Sequence, residues 1–196
     1  GPNIRTNVGD KVRIVLKNEL KESTVIHFHG VKGLPNAVDG VPDITQPAVK
    51  PGETYNYDFT TNEVSVGMYH SHHNAQVQVP NGLAGTFMVG NLDLPKGVKV
   101  AQEIPMMLND AGTIGLSLNG KSFPGTKAIV AKKNDWILIH YLNEGVGIHP
   151  MHTHGFDQLV IARDGNILPQ PYYADTVSVA PGERYSVLVK ADKVGA

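Results

Sequence analysis

The sequence predicts an all-β protein made of two related sandwiches. Three observations carry this. First, the chain repeats itself at an offset of 125 residues. His27-Phe28-His29-Gly30 returns as His152-Thr153-His154-Gly155, and Asp10, Asn18 and Glu19 return as Asp135, Asn143 and Glu144. Second, short segments alternate polar and apolar residues, as half-buried strands do. Third, 21 glycines and 13 prolines punctuate the chain, while only 18% of its residues are charged. The repeat divides the chain into units of about 95 residues, each large enough for a thin core of its own. The expected division is a first domain over 1–93, a linker over 94–102 and a second domain over 103–196.

Lys11 to Leu16 alternates polar and apolar residues, as a half-buried strand does, and gives the first strand. Thr24 to His29 gives the next. Pro51-Gly52 makes a turn before a strand over Thr54 to Phe59. Gly67 to His72 and Gly85 to Gly90 complete the first unit. The polar stretch 73–82 reads as loop, with room for a short helix. Asn91 to Val100, which holds Pro95 and Gly97, reads as the connection. The second unit follows the same plan: Trp136 to Ile139 matches the first strand, and Pro181-Gly182-Glu183 echoes Pro51-Gly52-Glu53. Short strands at such spacing indicate antiparallel sandwiches. The counterpart of the Gly67–His72 strand would begin just after Ala196, and Gly-Pro-Asn-Ile-Arg reads as the middle of a strand. The chain is therefore expected to be part of a longer polypeptide.

Composition removes several function classes. A net charge of −1 without a basic run leaves no nucleic-acid footprint. No apolar run reaches membrane-spanning length. Cysteine is absent. That excludes disulfides, thiolate zinc sites and cysteine nucleophiles, and it excludes a complete blue-copper centre within these residues, because such a site needs a thiolate.

Eight of the nine histidines fall in three clusters, at 27/29, 70/72/73 and 149/152/154. Residues i and i+2 of a strand share a face, so each His-x-His pair projects two imidazoles from one side. Two such strands, from related units, can aim four imidazoles at one point. Imidazole suits copper, zinc, iron and nickel alike. Zinc usually settles for three or four ligands with a carboxylate or thiolate among them. Six to eight histidines without an obligate carboxylate favour several coppers.

His27-Phe28-His29-Gly30, Tyr69-His70-Ser71-His72 and His149-Pro150-Met151-His152-Thr153-His154-Gly155 resemble three of the four copper signatures of the multicopper oxidases. Asp39-Gly40-Val41-Pro42, Thr45-Gln46 and Lys50-Pro51-Gly52 resemble the same family's first domain. The resemblance implies two Greek-key cupredoxin β-sandwich domains, the second incomplete at its C-terminus. It implies His27 and His152 as type 2 copper ligands, and His29, His70, His72 and His154 as four of the six type 3 ligands. It places His149 as a ligand of a type 1 copper that is incomplete in this chain, because the final His-Cys-His signature is missing. Only 77 residues separate His72 from His149, which resembles the two-domain, laccase-like members. Those are homotrimers with the copper cluster between subunits, and Ser71 and Gln78 stand where some of them carry a first-domain thiolate and histidine. The implied activity couples one-electron oxidation of an unspecified donor to reduction of O2 to water, in the periplasm or outside the cell, with no nucleic-acid or membrane partner.

The remaining candidates have both roles open. Asp39 resembles the family's acidic residue near the copper cluster, which the resemblance assigns to proton delivery and ligand orientation; read from the residues alone it is a turn aspartate. Asp164-Gly165 carries the same ambiguity. His73 is read as an outer or surface residue, His140 as structural, and Met68, Met88, Met106 and Met107 as core fillers. Two alternatives stay open: a nitrite-reductase-like copper enzyme, for which His70-Ser71-His72 supplies a surplus imidazole, and a copper-binding module without catalysis.

Overall fold

The computed structural model describes residues 1–194. They form two compact units, Gly1–Asn91 and Leu92–Ala196.

The first unit runs β1 (Ile4–Thr6), β2 (Lys11–Lys17), β3 (His27–His29), β4 (Thr54–Thr60), β5 (Ser65–His70), the short helix α1 (Ala75–Gln78) and β6 (Ala84–Val89). One sheet has the order β1-β6-β5-β3, and β2 pairs with β4 in a second. Alternation in β2 turns Val12, Ile14 and Leu16 toward the core and leaves Lys11, Arg13 and Val15 in solvent. Between the sheets lie Phe28, Tyr57, Phe59 and Phe87, with Phe28 in edge-on contact with the other three at ring separations of 5.4, 5.0 and 5.9 Å. The strand expected over Thr24 to His29 pairs regularly only from His27. Thr24 makes a single bridge to Val49.

The second unit runs β7 (Val100–Ala111), β8 (Gly115–Leu118), β9 (Trp136–Asn143), β10 (His149–His152), β11 (Gln158–Arg163), β12 (Asn166–Ala174), β13 (Thr176–Val179) and β14 (Arg184–Lys190). Its main sheet has the order β12-β11-β14-β9-β7-β8, and β10 pairs with β13. Ile137, Ile139 and Val187 face Val177 and Val179 in the core. Leu138 and Leu188 point the other way, where Leu92, Leu94, Val98 and Val100 cover them. The segment expected as a linker over 94–102 thus belongs to the second unit, and β7 begins within it. Both units also depart from the expected antiparallel pattern. β1 runs parallel to β6, and β7 runs parallel to β9. Parallel neighbours need a long crossover, and β8 with the loop before β9 provides it in the second unit.

The repeat is visible in the hydrogen bonds. Asn18 and Asn143 are each fully buried at the end of a strand. The Asn18 amide donates to the carbonyls of Glu22 and Val49, and its oxygen accepts from Leu20 N. The Asn143 amide donates to Gly147 and Val179, and its oxygen accepts from Gly145 N. Each asparagine therefore clamps the loop that leads to a histidine strand. Truncating Asn143 to alanine should cost about 2–4 kcal/mol, because buried polar partners lose their bonds. Asn18→Ala should cost a similar amount in the first unit alone, and urea unfolding followed by probes in each unit would separate the two.

His140 is buried in β9. Its Nδ1 lies 2.8 Å from Ser186 Oγ and its Nε2 lies 3.0 Å from Glu103 Oε1, so it ties β7, β9 and β14 together. Asp164 and Gly165 both adopt positive φ, 51° and 72°, and form the two-residue turn between β11 and β12. The turn reading of that pair is the one observed.

Candidate metal centre

In the first unit the antiparallel pairing of β3 with β5 sets His27 opposite His70. His27, His29 and His70 each offer a ring nitrogen to a common point, with the three nitrogens within 4.8 Å of one another. His72 joins them from beyond the end of β5. Its ring centre is 5.2 Å from that of His27 and 6.2 Å from that of His70. The 27/29 pair follows strand geometry. The 70/72 pair sits at the end of β5, where Ser71 N still bonds to the Leu83 carbonyl and the two rings are stacked.

Which nitrogen each imidazole presents is fixed by its neighbours. His27 Nδ1 lies 2.6 Å from the main-chain carbonyl of Asp39, and His70 Nδ1 lies 2.9 Å from that of Ser71. A carbonyl only accepts, so both Nδ1 atoms carry the proton and both Nε2 lone pairs are left for a metal. Burial pushes the His70 imidazole down to about 4. Neighbouring His27 and His72 add to this, and the Ser71 carbonyl opposes it. His70 is therefore neutral at pH 7, the form that ligates.

Asp39 reaches His27 by way of Gly40. A Cβ on Gly40 would stand 1.8 Å from the Ile26 carbonyl oxygen, and its φ is +76°, so only glycine lets the chain lie against β3 here. The Asp39 carboxylate is farther away, with Oδ1 3.5 Å from His27 Nδ1, and is 43% exposed.

In the second unit β10 pairs in register with β13, His149 with Val179 and His152 with Thr176. The two-residue period of the strand puts His149 on the half-buried face shared with Met151, and His152 on the opposite, exposed face. The signature therefore points to two places rather than one. The ring centres of His152 and His154 are 5.1 Å apart, with His154 in the turn after the strand. His152 Nδ1 is 3.0 Å from the Asp175 carbonyl, and the Asp175 carboxylate is 3.3 Å from the same nitrogen. Asp175 thus does for His152 what Asp39 does for His27. Sequence reading missed it, since the spacing from histidine to aspartate differs between the units and no motif marks the position. His149 has an acidic neighbour of its own, Asp110, with Oδ2 3.3 Å from Nε2.

Ser71 and Gln78 meet Thr24 in a buried trio. Thr24 Oγ1 and Ser71 Oγ both donate to Gln78 Oε1, at 2.8 and 2.6 Å, while the Gln78 amide donates to the Ser23 carbonyl. Thr24 bridges Val49 as His149 pairs with Val179, so Thr24 occupies the first unit's counterpart of the His149 position. The trio's polar atoms are engaged with one another and with the Ser23 and His73 backbone.

The imidazole cluster fits copper. It is a convergent nitrogen set, neutral at His70 and oriented by backbone carbonyls, with room for more than one ion's ligands.

Family models described as multicopper oxidase match residues 1–93 and 94–196. The L-ascorbate oxidase of Cucurbita maxima is 31% identical over 98% of this chain and 41% of its own length. Among solved structures, the multicopper oxidase mgLAC superposes with a TM-score of 0.91 at 38% identity, covering all of this chain and 68% of the other. The blue copper oxidase from Nitrosomonas europaea gives 0.90 at 32% identity, covering 99% and 67%. The chain spans about two-fifths of the length of the curated relatives it matches, 42% and 41% for two of them. Its fold is that of the cupredoxin sandwiches on which these proteins are built. Two matched domains, three histidine signatures in order and this structural likeness together establish that the chain belongs to the multicopper oxidase family.

Proposed function

We propose that this chain supplies seven histidine ligands of a copper oxidase that takes single electrons from a donor and reduces O2 to water. The observation that carries this reading is the convergence of His27, His29 and His70, with His72 beside them. His27 and His152 are assigned to the type 2 copper. His29, His70, His72 and His154 are assigned to the type 3 pair, and His149 to a type 1 copper. Bound copper would supply the one-electron redox chemistry and the site of oxygen reduction. The protein's share is geometry: the carbonyls of Asp39, Ser71 and Asp175 hold three imidazoles in one tautomer. The Asp39 carboxylate, part exposed beside His27, is assigned to proton delivery and to holding that imidazole in place.

The hydrogen-bonded Thr24–Ser71–Gln78 trio supports a first unit without a type 1 copper, since a serine hydroxyl cannot replace a soft thiolate. A homotrimer with a shared cluster and a periplasmic or extracellular setting complete the reading, both by analogy with two-domain relatives. Metal analysis of the intact protein tests it. Four coppers per subunit are expected. Two would favour a nitrite-reductase-like enzyme, and copper without oxygen consumption would favour a binding module. Sedimentation of the same sample tests the trimer.

A further inference from the structure

We propose that Asp110 is the positioning residue of His149: its carboxylate fixes the imidazole as the Nε2–H tautomer and leaves Nδ1 as the metal-binding nitrogen. This rests on the reading of His149 as a copper ligand.

The geometry around Asp110 is built for one orientation. Its Oδ1 accepts from Val146 N and its Oδ2 from Gly147 N, both at 2.8 Å. Oδ2 also lies 3.3 Å from His149 Nε2, a nitrogen with almost no solvent contact and no closer partner among the described residues. Each Asp110 oxygen accepts a backbone N–H, so the group is held as an acceptor on both sides. An imidazole nitrogen facing a carboxylate at this distance is stable only as a donor, so the Nε2 proton is specified and Nδ1 is left with its lone pair.

The loop is shaped to make this contact. A Cβ on Gly145 would stand 2.7 Å from Asp110 Oδ1 and 2.9 Å from His149 Nε2, and one on Gly147 would stand 2.8 Å from Asp110 Oδ2. Both glycines are needed for the chain to close over the carboxylate. The first unit provides the control. Its loop is clamped in the same way by Asn18, yet Leu20, Lys21 and Glu22 stand where Gly145, Val146 and Gly147 do, and Thr24 stands in place of His149. The glycine pair and the imidazole occur together in one repeat and are absent together from the other.

The test is long-range 15N–1H correlation NMR on the metal-free protein, which reports the tautomer of each histidine directly. Wild type should show His149 as Nε2–H. Asp110→Asn keeps the side-chain volume but turns an NH2 group toward the ring, and should convert His149 to Nδ1–H. Gly145→Ala should displace the carboxylate and leave mixed tautomers. Wild-type His149 found as Nδ1–H would overturn the proposal. So would a tautomer unchanged in a folded Asp110→Asn variant, the outcome expected if Asp110 merely caps the loop. In the intact protein, Asp110→Asn should weaken type 1 copper binding about 10–100-fold, the usual cost of losing such a partner. His149→Gln with an undiminished blue absorption would refute the ligand reading while leaving the tautomer result standing, so the two failures are distinct.

Discussion

His70→Ala should abolish oxygen consumption by the intact protein and lower its copper content. Among the imidazoles of the first unit, His70 holds the central position. It lies opposite His27 in the strand pairing, and its Nε2 is 3.4 Å from His29 Nδ1. Loss of a residue that merely supports a ligand typically costs 10–100-fold, so loss of this imidazole should exceed about 100-fold. A graded series gives the comparison. Asp39→Asn leaves the carbonyl that holds His27 and changes only the more distant carboxylate, so it should fall within the 10–100-fold range. His73→Ala should change activity little, since His73 is tied to Ser71 through its backbone. Turnover and copper content measured together decide the matter. A fully active His70→Ala protein would remove the cluster from the mechanism.

The two units of the metal-free protein should respond to pH in opposite senses. His70 titrates near 6.5 when unfolded and at about 4 when folded, because burial disfavours its cation. Protons therefore bind the unfolded state first. The first unit has its full stability above 6.5 and should lose about 3 kcal/mol as pH falls toward 4. Glu144 behaves in the reverse sense. Burial pushes its carboxyl up to about 8 from 4.5 against the opposing charge of Arg184, and its Oε1 is buried without a hydrogen-bond partner among the described residues. The folded state keeps this proton longer, so the second unit is most stable below 4.5 and should lose about 5 kcal/mol as pH rises from 4.5 through 8. The single tryptophan, Trp136, lies in the second unit and reports that unit alone. Urea midpoints from its fluorescence should fall as pH rises from 4.5 to 8, and Glu144→Gln should abolish the fall. An equal loss over that window in Glu144→Gln would assign the effect elsewhere.

The sequence shows the repeated parts of this protein well and the unrepeated parts poorly. β2 and β4 follow directly from alternation, because each has one face in a core and one in solvent. β6 and β9 are buried on both faces, and the start of β9 was legible through the repeat instead. β7 was hidden because it contains Pro105 and has no counterpart in the first unit with which to be aligned. The 94–102 stretch looked like a linker for want of periodicity, yet its apolar residues have a sheet to cover. At the site, the histidines were legible from spacing alone. Their carbonyl and carboxylate partners were not, apart from Asp39. Asp110 and Asp175 come from β7 and from the start of the β13 hairpin, and strand pairing rather than sequence proximity brings them to His149 and His152.

The Thr24–Ser71–Gln78 trio has an evolutionary consequence. Gln78 Oε1 is buried and accepts from both hydroxyls. Exchanging Ser71 alone for cysteine would replace a strong donor by a weak one and leave that oxygen to Thr24, at about 0.5–1.5 kcal/mol. Exchanging Gln78 alone for histidine would instead leave two hydroxyls and the Ser23 carbonyl seeking partners. Each of these two exchanges, made alone, thus lowers the stability of the first unit before any thiolate metal site exists; made together they would replace one satisfied arrangement by another.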